Sequence, residues 1–222
     1  MNLFHMQRPW NSLSIHDCGE PLVSLPACLA RWQPHPYAVL GAPYPEGIDP
    51  FRLRQAVLLR LLKAQLILQQ GPLKCGLLVF DAWRPIAVQQ YMVDWSLAQP
   101  GATAAAVEAL WAPPSTNPLT PPPHSTGAAV DLCLVGNDGV RLAMGGEIDA
   151  CGDIAKPEHF ANALAGSEQE IWQFHRNHLA KAMAMVGFSQ HPHEWWHFSY
   201  GDQMWAWHCG MSSARYGTAP CG

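Results

Sequence analysis

Apolar positions fall into a few dense blocks separated by proline and glycine. The longest block runs through FRLRQAVLLRLLKAQLILQQ. It is bounded by Asp49-Pro50, an N-cap followed by a residue suited to the first helical turn, and by Gly71-Pro72. That punctuation predicts a helix opening at Asp49-Pro50. Its Leu, Val and Ile exceed one stripe, which predicts burial on more than one side. Leu77-Leu78-Val79-Phe80, closed by Asp81, reads as a short buried strand. Pro85 then opens a second helix, IAVQQYMVDWSLAQ, which stops before Pro100-Gly101. Residues 112–123, APPSTNPLTPPP, are a loop, because proline fits neither a helix interior nor a central strand.

Ala128 to Val135 reads as a strand, turned by Asn137-Asp138-Gly139 into Val140-Arg141-Leu142. Ser167 and Glu170 have capping-box spacing, and a long helix follows through Met185 with Gly187 as its stop. After His191-Pro192-His193 the chain enters an aromatic strand, Glu194 to Tyr200. Residues 1–48 show no sustained period and read as loops and short strands wrapped on the core. No internal repeat is present. Hairpins mixed with helices predict an α+β fold, with a small antiparallel central sheet and helices packed around it.

With 222 residues, one domain spanning the whole chain is expected, and residues 201–222 form a C-terminal extension. Hydrophobic residues make up 49% and charged residues 14%, enough core material to exclude disorder. The net charge of −4, without any run of Lys or Arg, argues against a nucleic-acid partner. No apolar stretch reaches the ~18–20 residues that a membrane span requires. The opening MNLFHMQRPWNSLSIH lacks a signal-peptide core, so a cytoplasmic protein is expected. Seven cysteines without a C-x-x-C pair argue against a disulfide framework or a cysteine zinc site, and predict reduced, packed thiols.

Two segments carry chemistry. In the first, His124 and Asp131 flank Gly127, which lets the backbone turn so that both converge on one point. Read alone, they could equally be a loop histidine and a strand aspartate that never meet. The second is Glu194-Trp195-Trp196-His197. On a regular strand Glu194 and His197 would point to opposite faces, but the turn at Pro192 lets the chain enter bent. His124, Asp131 and His197 would then supply the three ligands of a catalytic zinc, leaving one position for water, with Glu194 as general base. By itself this segment reads as well as a strand with a surface glutamate. Asp81-Ala82-Trp83-Arg84-Pro85 would set a guanidinium beside the metal to stabilise an oxyanion. Read alone, Asp81 is a cap and Arg84 a solvated first-turn residue.

Taken together, Asp81-Ala-Trp-Arg84-Pro85, His124-Ser-Thr-Gly127-Ala-Ala129-Val-Asp131, Met144-Gly145-Gly-Glu-Ile148-Asp149 and Glu194-Trp-Trp-His197 resemble, in order, the motifs of the zinc D-alanyl-D-alanine dipeptidase family. That family is related to D,D-carboxypeptidases and to the hedgehog domain. The resemblance implies one Zn2+ on His124, Asp131 and His197, Glu194 as base and then acid, Arg84 at the oxyanion, and Asp149 at the substrate's ammonium group. The implied substrate is a free dipeptide such as D-Ala-D-Ala. Three departures stand out: Pro122 where the relative carries Ser, Trp83 at the family's usual Tyr or Phe position, and no clear match for its amine-binding Tyr, for which Tyr37 is the candidate. A D,D- or L,D-carboxypeptidase and a non-catalytic zinc-stabilised module are the competing readings. His191 and His193 are expected in a loop near the site, His175 and His178 on a helix without a metal, and Cys133 packed. Trp205 and Trp207 are expected to pack the C-terminal segment. Asp153, Glu158 and His159 are candidates to orient the ligands.

Overall fold

In the computed structural model, which describes residues 8–220, a five-stranded sheet carries the chain's chemistry at one end. Cys221 and the first seven residues of the N-terminal segment lie outside the described residues. In chain order the elements begin with strands β1 (Ser14–Ile15), β2 (Leu22–Ser24) and β3 (Ala30–Arg31). Helix α1 (Pro36–Val39), strand β4 (Arg52–Arg54), helix α2 (Gln55–Gln70) and strand β5 (Gly76–Asp81) follow. Next come α3 (Ile86–Leu97), α4 (Ala104–Leu110), β6 (Ala129–Val135) and α5 (Glu168–Met185). The chain closes with β7 (Ser189–Gln190), β8 (His197–Ser199), α6 (Gln203–His208) and β9 (Ser213–Ala214).

The main sheet has the order β3-β5-β6-β8-β7. All its pairs are antiparallel except β3 with β5. The expected α+β architecture is therefore present, with one parallel edge pair added. Every residue of β6 is buried, as befits the central strand. Two smaller pairings, β1 with β9 and β2 with β4, tie both ends of the chain to the body.

The first helix begins at Gln55, not at Asp49-Pro50. Asp49 instead accepts a hydrogen bond from the Phe51 amide at 2.9 Å, and residues 52–54 pair with β2. The intended helix start is drawn into a strand because Arg54 is needed elsewhere. Its buried guanidinium donates to the carbonyls of Thr126, Glu20 and Gly217 and to Asp17. Nor is α2 buried all round. Val57, Leu58, Leu61, Ala64, Gln65 and Leu68 form one buried stripe, while Leu59 and Leu66 face outward.

The long helix keeps its expected limits. The Ser167 hydroxyl accepts from the Glu170 amide, and the Glu170 carboxylate accepts from Gly166. The aromatic strand is shorter than expected: Glu194 lies in irregular chain, Trp195 and Trp196 in a turn, and only His197–Ser199 is strand. Trp205 is buried and donates to the Gly187 carbonyl, whereas Trp207 is half exposed rather than packed. The six described cysteines are free thiols; Cys75 and Cys133 are packed in the core, whereas Cys18, Cys28, Cys151 and Cys209 are exposed rather than packed as expected. No helix among the described residues is long and apolar enough to cross a membrane.

Gly127 closes the turn between His124 and β6 with φ +70, and a Cβ there would sit 2.2 Å from Leu22 Cδ2. A side chain would meet both the left-handed backbone cost and an overpacked contact. Gly127→Ala is expected to destabilise the protein by about 2–4 kcal/mol, read as a lower denaturant midpoint. An unchanged midpoint would mean that β2 moves aside at no cost.

Candidate metal centre and its cleft

His124 sits on a 3-10 turn, Pro123–Thr126, that Gly127 ends. Asp131 lies on β6 and His197 on β8, directly opposite one another in the ladder. All three side chains are buried. His197 Nδ1 is 3.0 Å from Asp131 Oδ1, His124 Nε2 is 3.2 Å from Asp131 Oδ2, and the two ring nitrogens are 3.2 Å apart. A tetrahedral ion with bonds of about 2.0–2.1 Å sets its ligand atoms about 3.3 Å apart, so the spacing fits a metal. The tautomer fits as well. His124 Nδ1 lies 2.7 Å from the Ala82 carbonyl, which holds the proton there and leaves the Nε2 lone pair facing the other two ligands.

Glu194 is brought to the same point by the turn after Pro192. Its carboxylate oxygens lie 3.6 Å from His191 Nδ1 and 3.7 Å from His197 Nδ1. Burial, then the charges of Asp131 and Asp149, push its pKa well above the ordinary carboxylate range. Asp131 goes the other way: against the effect of burial, His124 and His197 hold it well below that range.

Arg84 neighbours the triad, with Nη2 3.5 Å from Asp131 Oδ2. Its guanidinium is clamped by Asp81 through Nε and Nη2 and by Gln89 through Nη1. The rings of Tyr37 and Trp111 cover it at 4.8 Å each. It is therefore no solvated first-turn residue. Asp81, which alone read as a cap, is the buried hub of this wall. It contacts Arg84, His124 Nδ1 at 3.2 Å and His35 at 3.2 Å. Against burial, those three cations and donors keep its pKa at about 2.

Asp149 closes the same cleft. It adopts φ 64, a left-handed backbone that aspartate tolerates better than most residues, and Tyr37 donates to its Oδ2 at 2.8 Å. Tyr37, only a candidate from sequence, is thus placed on Asp149. Burial and then the charge of Asp131 raise the Asp149 pKa to about 7. The loop that carries Asp149 is held by Arg176 of α5, which donates to the carbonyls of Met144, Ile154 and Lys156. Gly145 passes so close to Phe160 and Trp172 that a Cβ would lie within 2.5 Å of each ring.

Several residues were missed or misplaced by sequence reasoning. His191 is a wall residue of the cleft rather than a plain loop residue, and Arg8 and Trp10 line it too. The orienting group is Asp81, not Asp153, whose carboxylate pairs with Lys156 at the surface. His159 packs on Phe160, and His175 and His178 join no metal-type cluster among the described residues. The signal for Asp81 was present, a strand-ending carboxylate three residues before Arg84. Nothing local marks Arg8. Asp131→Asn and His124→Ala are each expected to drop bound metal from about one ion per chain to near none, measured by atomic absorption of the purified protein. Full metal content in both variants would place the ion elsewhere.

The D-ala-D-ala dipeptidase family model (peptidase M15) matches residues 52–213. A D-alanyl-D-alanine dipeptidase of Synechocystis is 42% identical, with 90% of each chain covered. One of Enterococcus faecalis is 28% identical over 67% of this chain and 73% of its own. Another, of Streptomyces coelicolor, is 36% identical over 36% of this chain and 37% of its own. Since the family match covers four of the sheet's five strands and all of His124, Asp131, Asp149, Glu194 and His197, the chain belongs to the D-Ala-D-Ala dipeptidase family.

Proposed function

We propose that the protein is a zinc-dependent dipeptidase, acting in the cytoplasm, that hydrolyses D-Ala-D-Ala or a closely similar dipeptide with a free amino terminus. The observation that carries this reading is the pairing, in one small cleft, of a metal-type triad with a buried carboxylate, Asp149, that forms no ion pair among the described residues. The printed names of the relatives support the same substrate. Zinc bound to His124, Asp131 and His197 would supply a polarised carbonyl and a water whose pKa falls to about 7.

The chain's own groups do the rest. Asp149, steadied by Tyr37, receives the ammonium of the substrate and so fixes how far the scissile carbonyl lies from the chain's end. Glu194 takes the proton of the attacking water and returns it to the leaving amine. A carboxyl group whose pKa burial has raised is suited to hold that proton between the two steps. Arg84, unable to rotate between Asp81, Gln89 and two rings, presents a fixed positive charge to the oxyanion. The indoles of Trp111 and Trp196, which also line the cleft, keep bulk water from it.

Amine release from D-Ala-D-Ala by the zinc-loaded protein tests the reading, with L-Ala-L-Ala and acetyl-D-Ala-D-Ala beside it. Cleavage of the free D-dipeptide alone is expected. Cleavage of the acetylated peptide at a similar rate would favour a carboxypeptidase. Glu194→Gln should keep its metal and lose about a thousandfold or more in kcat, and wild-type turnover in that variant would remove Glu194 from the mechanism. Asp149→Asn should lose about a hundredfold in kcat/KM on the free dipeptide, and no loss would sink the ammonium assignment.

A further inference from the structure

A free dipeptide is a zwitterion, and the residues discussed so far receive only one of its ends. The carboxylate end needs a donor, and the cleft offers few. Arg84 is already committed: Nε and Nη2 hold Asp81, Tyr37 and Asp131, Nη1 holds Gln89, and its charge is assigned above to the oxyanion. Gln89 is held in place as well, its oxygen on Arg84 and its nitrogen on the Ala112 carbonyl. Pro123, in the wall, has no N–H to give, and neither has Pro122 before it.

Arg8 is different. It lines the same cleft as Asp149, Glu194 and the metal triad. Both of its hydrogen bonds leave from Nη2, to the carbonyls of Glu108 at 3.2 Å and Trp111 at 3.1 Å. Nε and Nη1 hold no hydrogen-bond partner among the described residues. The side chain is therefore anchored by one corner, with its other edge unpaired among the described residues. The segment behind it is held in place too. Trp10 is buried edge-on against His191 and His208, with ring centroids 6.0 and 6.2 Å apart. Gln203 donates to the Leu13 carbonyl, and β1 pairs with β9. The cation is partly removed from water, which lowers its pKa, and the charge of Glu194 reaches it. A fixed, half-desolvated guanidinium with a free edge is the group that pairs best with a carboxylate.

We propose that Arg8 binds the terminal carboxylate of the dipeptide, so that the N-terminal segment supplies one half of substrate recognition and Asp149 the other. This rests on the dipeptidase reading above. Charge complementarity supports it: acidic Asp149 and basic Arg8 line the same cleft, and a zwitterion requires one group of each sign. Pro123, in the lining, brings no backbone N–H, which favours a side chain from another element for the carboxylate.

The test compares D-Ala-D-Ala with its C-terminal amide, D-Ala-D-alaninamide, which keeps the ammonium and the scissile bond but lacks the negative charge. Zinc-loaded wild type, Arg8→Gln and Arg8→Lys are assayed on both, with unfolding midpoints measured alongside. Wild type is expected to prefer the free acid by about a hundredfold in kcat/KM. That preference should fall to near unity in Arg8→Gln and to an intermediate value in Arg8→Lys, which keeps the charge but not the fork. A purely structural role lowers both rates and leaves their ratio alone, so an unchanged ratio in Arg8→Gln overturns the proposal whatever happens to the overall rate. Equal wild-type rates on acid and amide overturn it as well. Wild-type protein that cleaves neither substrate overturns the dipeptidase reading and the proposal with it.

Discussion

Asp81, Asp131 and His197 lie side by side in one row across β5, β6 and β8. Two carboxylates are thereby buried as direct neighbours, where paired Cα atoms stand about 4.5–5.5 Å apart and like charges oppose one another. Such an arrangement survives only if positive charge surrounds it. Arg84 supplies that charge beside Asp81, while ring nitrogens of His35, His197 and His124 lie within hydrogen-bond reach of the two carboxylates. Much of the remaining structure serves this row. The Trp and Tyr rings over Arg84 hold that cation in place, and the Ala82 carbonyl orients His124. A divalent ion held by His124, Asp131 and His197, as proposed above, would complete the balance.

A bulge makes the row possible. Val79 pairs with Leu132, yet Asp81 pairs with Asp131, so Phe80 is an extra residue on β5. Adjacent residues of β6 face opposite sides of the sheet, and without the extra residue Asp81 would share the face of Val79. The bulge turns Asp81 onto the side of the ligands, just before the chain leaves for Arg84 and α3. The reach from the triad to Asp149 is set by a second frame. Arg176 and the close approach of Gly145 to two aromatic rings fix the loop that presents Asp149. A buried arginine satisfied by three carbonyls is a costly device, and its place here is to hold irregular backbone that no strand supports.

Strand and helix cores were legible wherever punctuation and period agreed. The Ser167 cap and Gly187 stop bounded α5, and the unbroken apolar run of β6 marked a strand buried on both faces. The start of α2 was not legible. Asp49-Pro50 is a sound local signal, and it loses to strand pairing by residues 52–54 and to the carbonyls that Arg54 must satisfy from distant parts of the chain. The short helices α4 and α6 were also missed. Seven and six residues carry too little periodicity to stand out, and packing rather than propensity holds them.

The sequence alone determined which residue types were available for chemistry. His124, Asp131, Glu194 and His197 could be named because their spacing and side-chain chemistry are local facts, and the four ordered motifs made the family recognisable. What only the tertiary structure decided is which groups stand around them. Asp81 became a charged hub instead of a helix cap because a bulge rotated it. Tyr37 met Asp149, and Arg8 entered the cleft, across separations of 112 and 100 or more residues. No sequence pattern encodes such meetings. They follow from burying charge, since each buried carboxylate or guanidinium must find its partner wherever the chain can supply one.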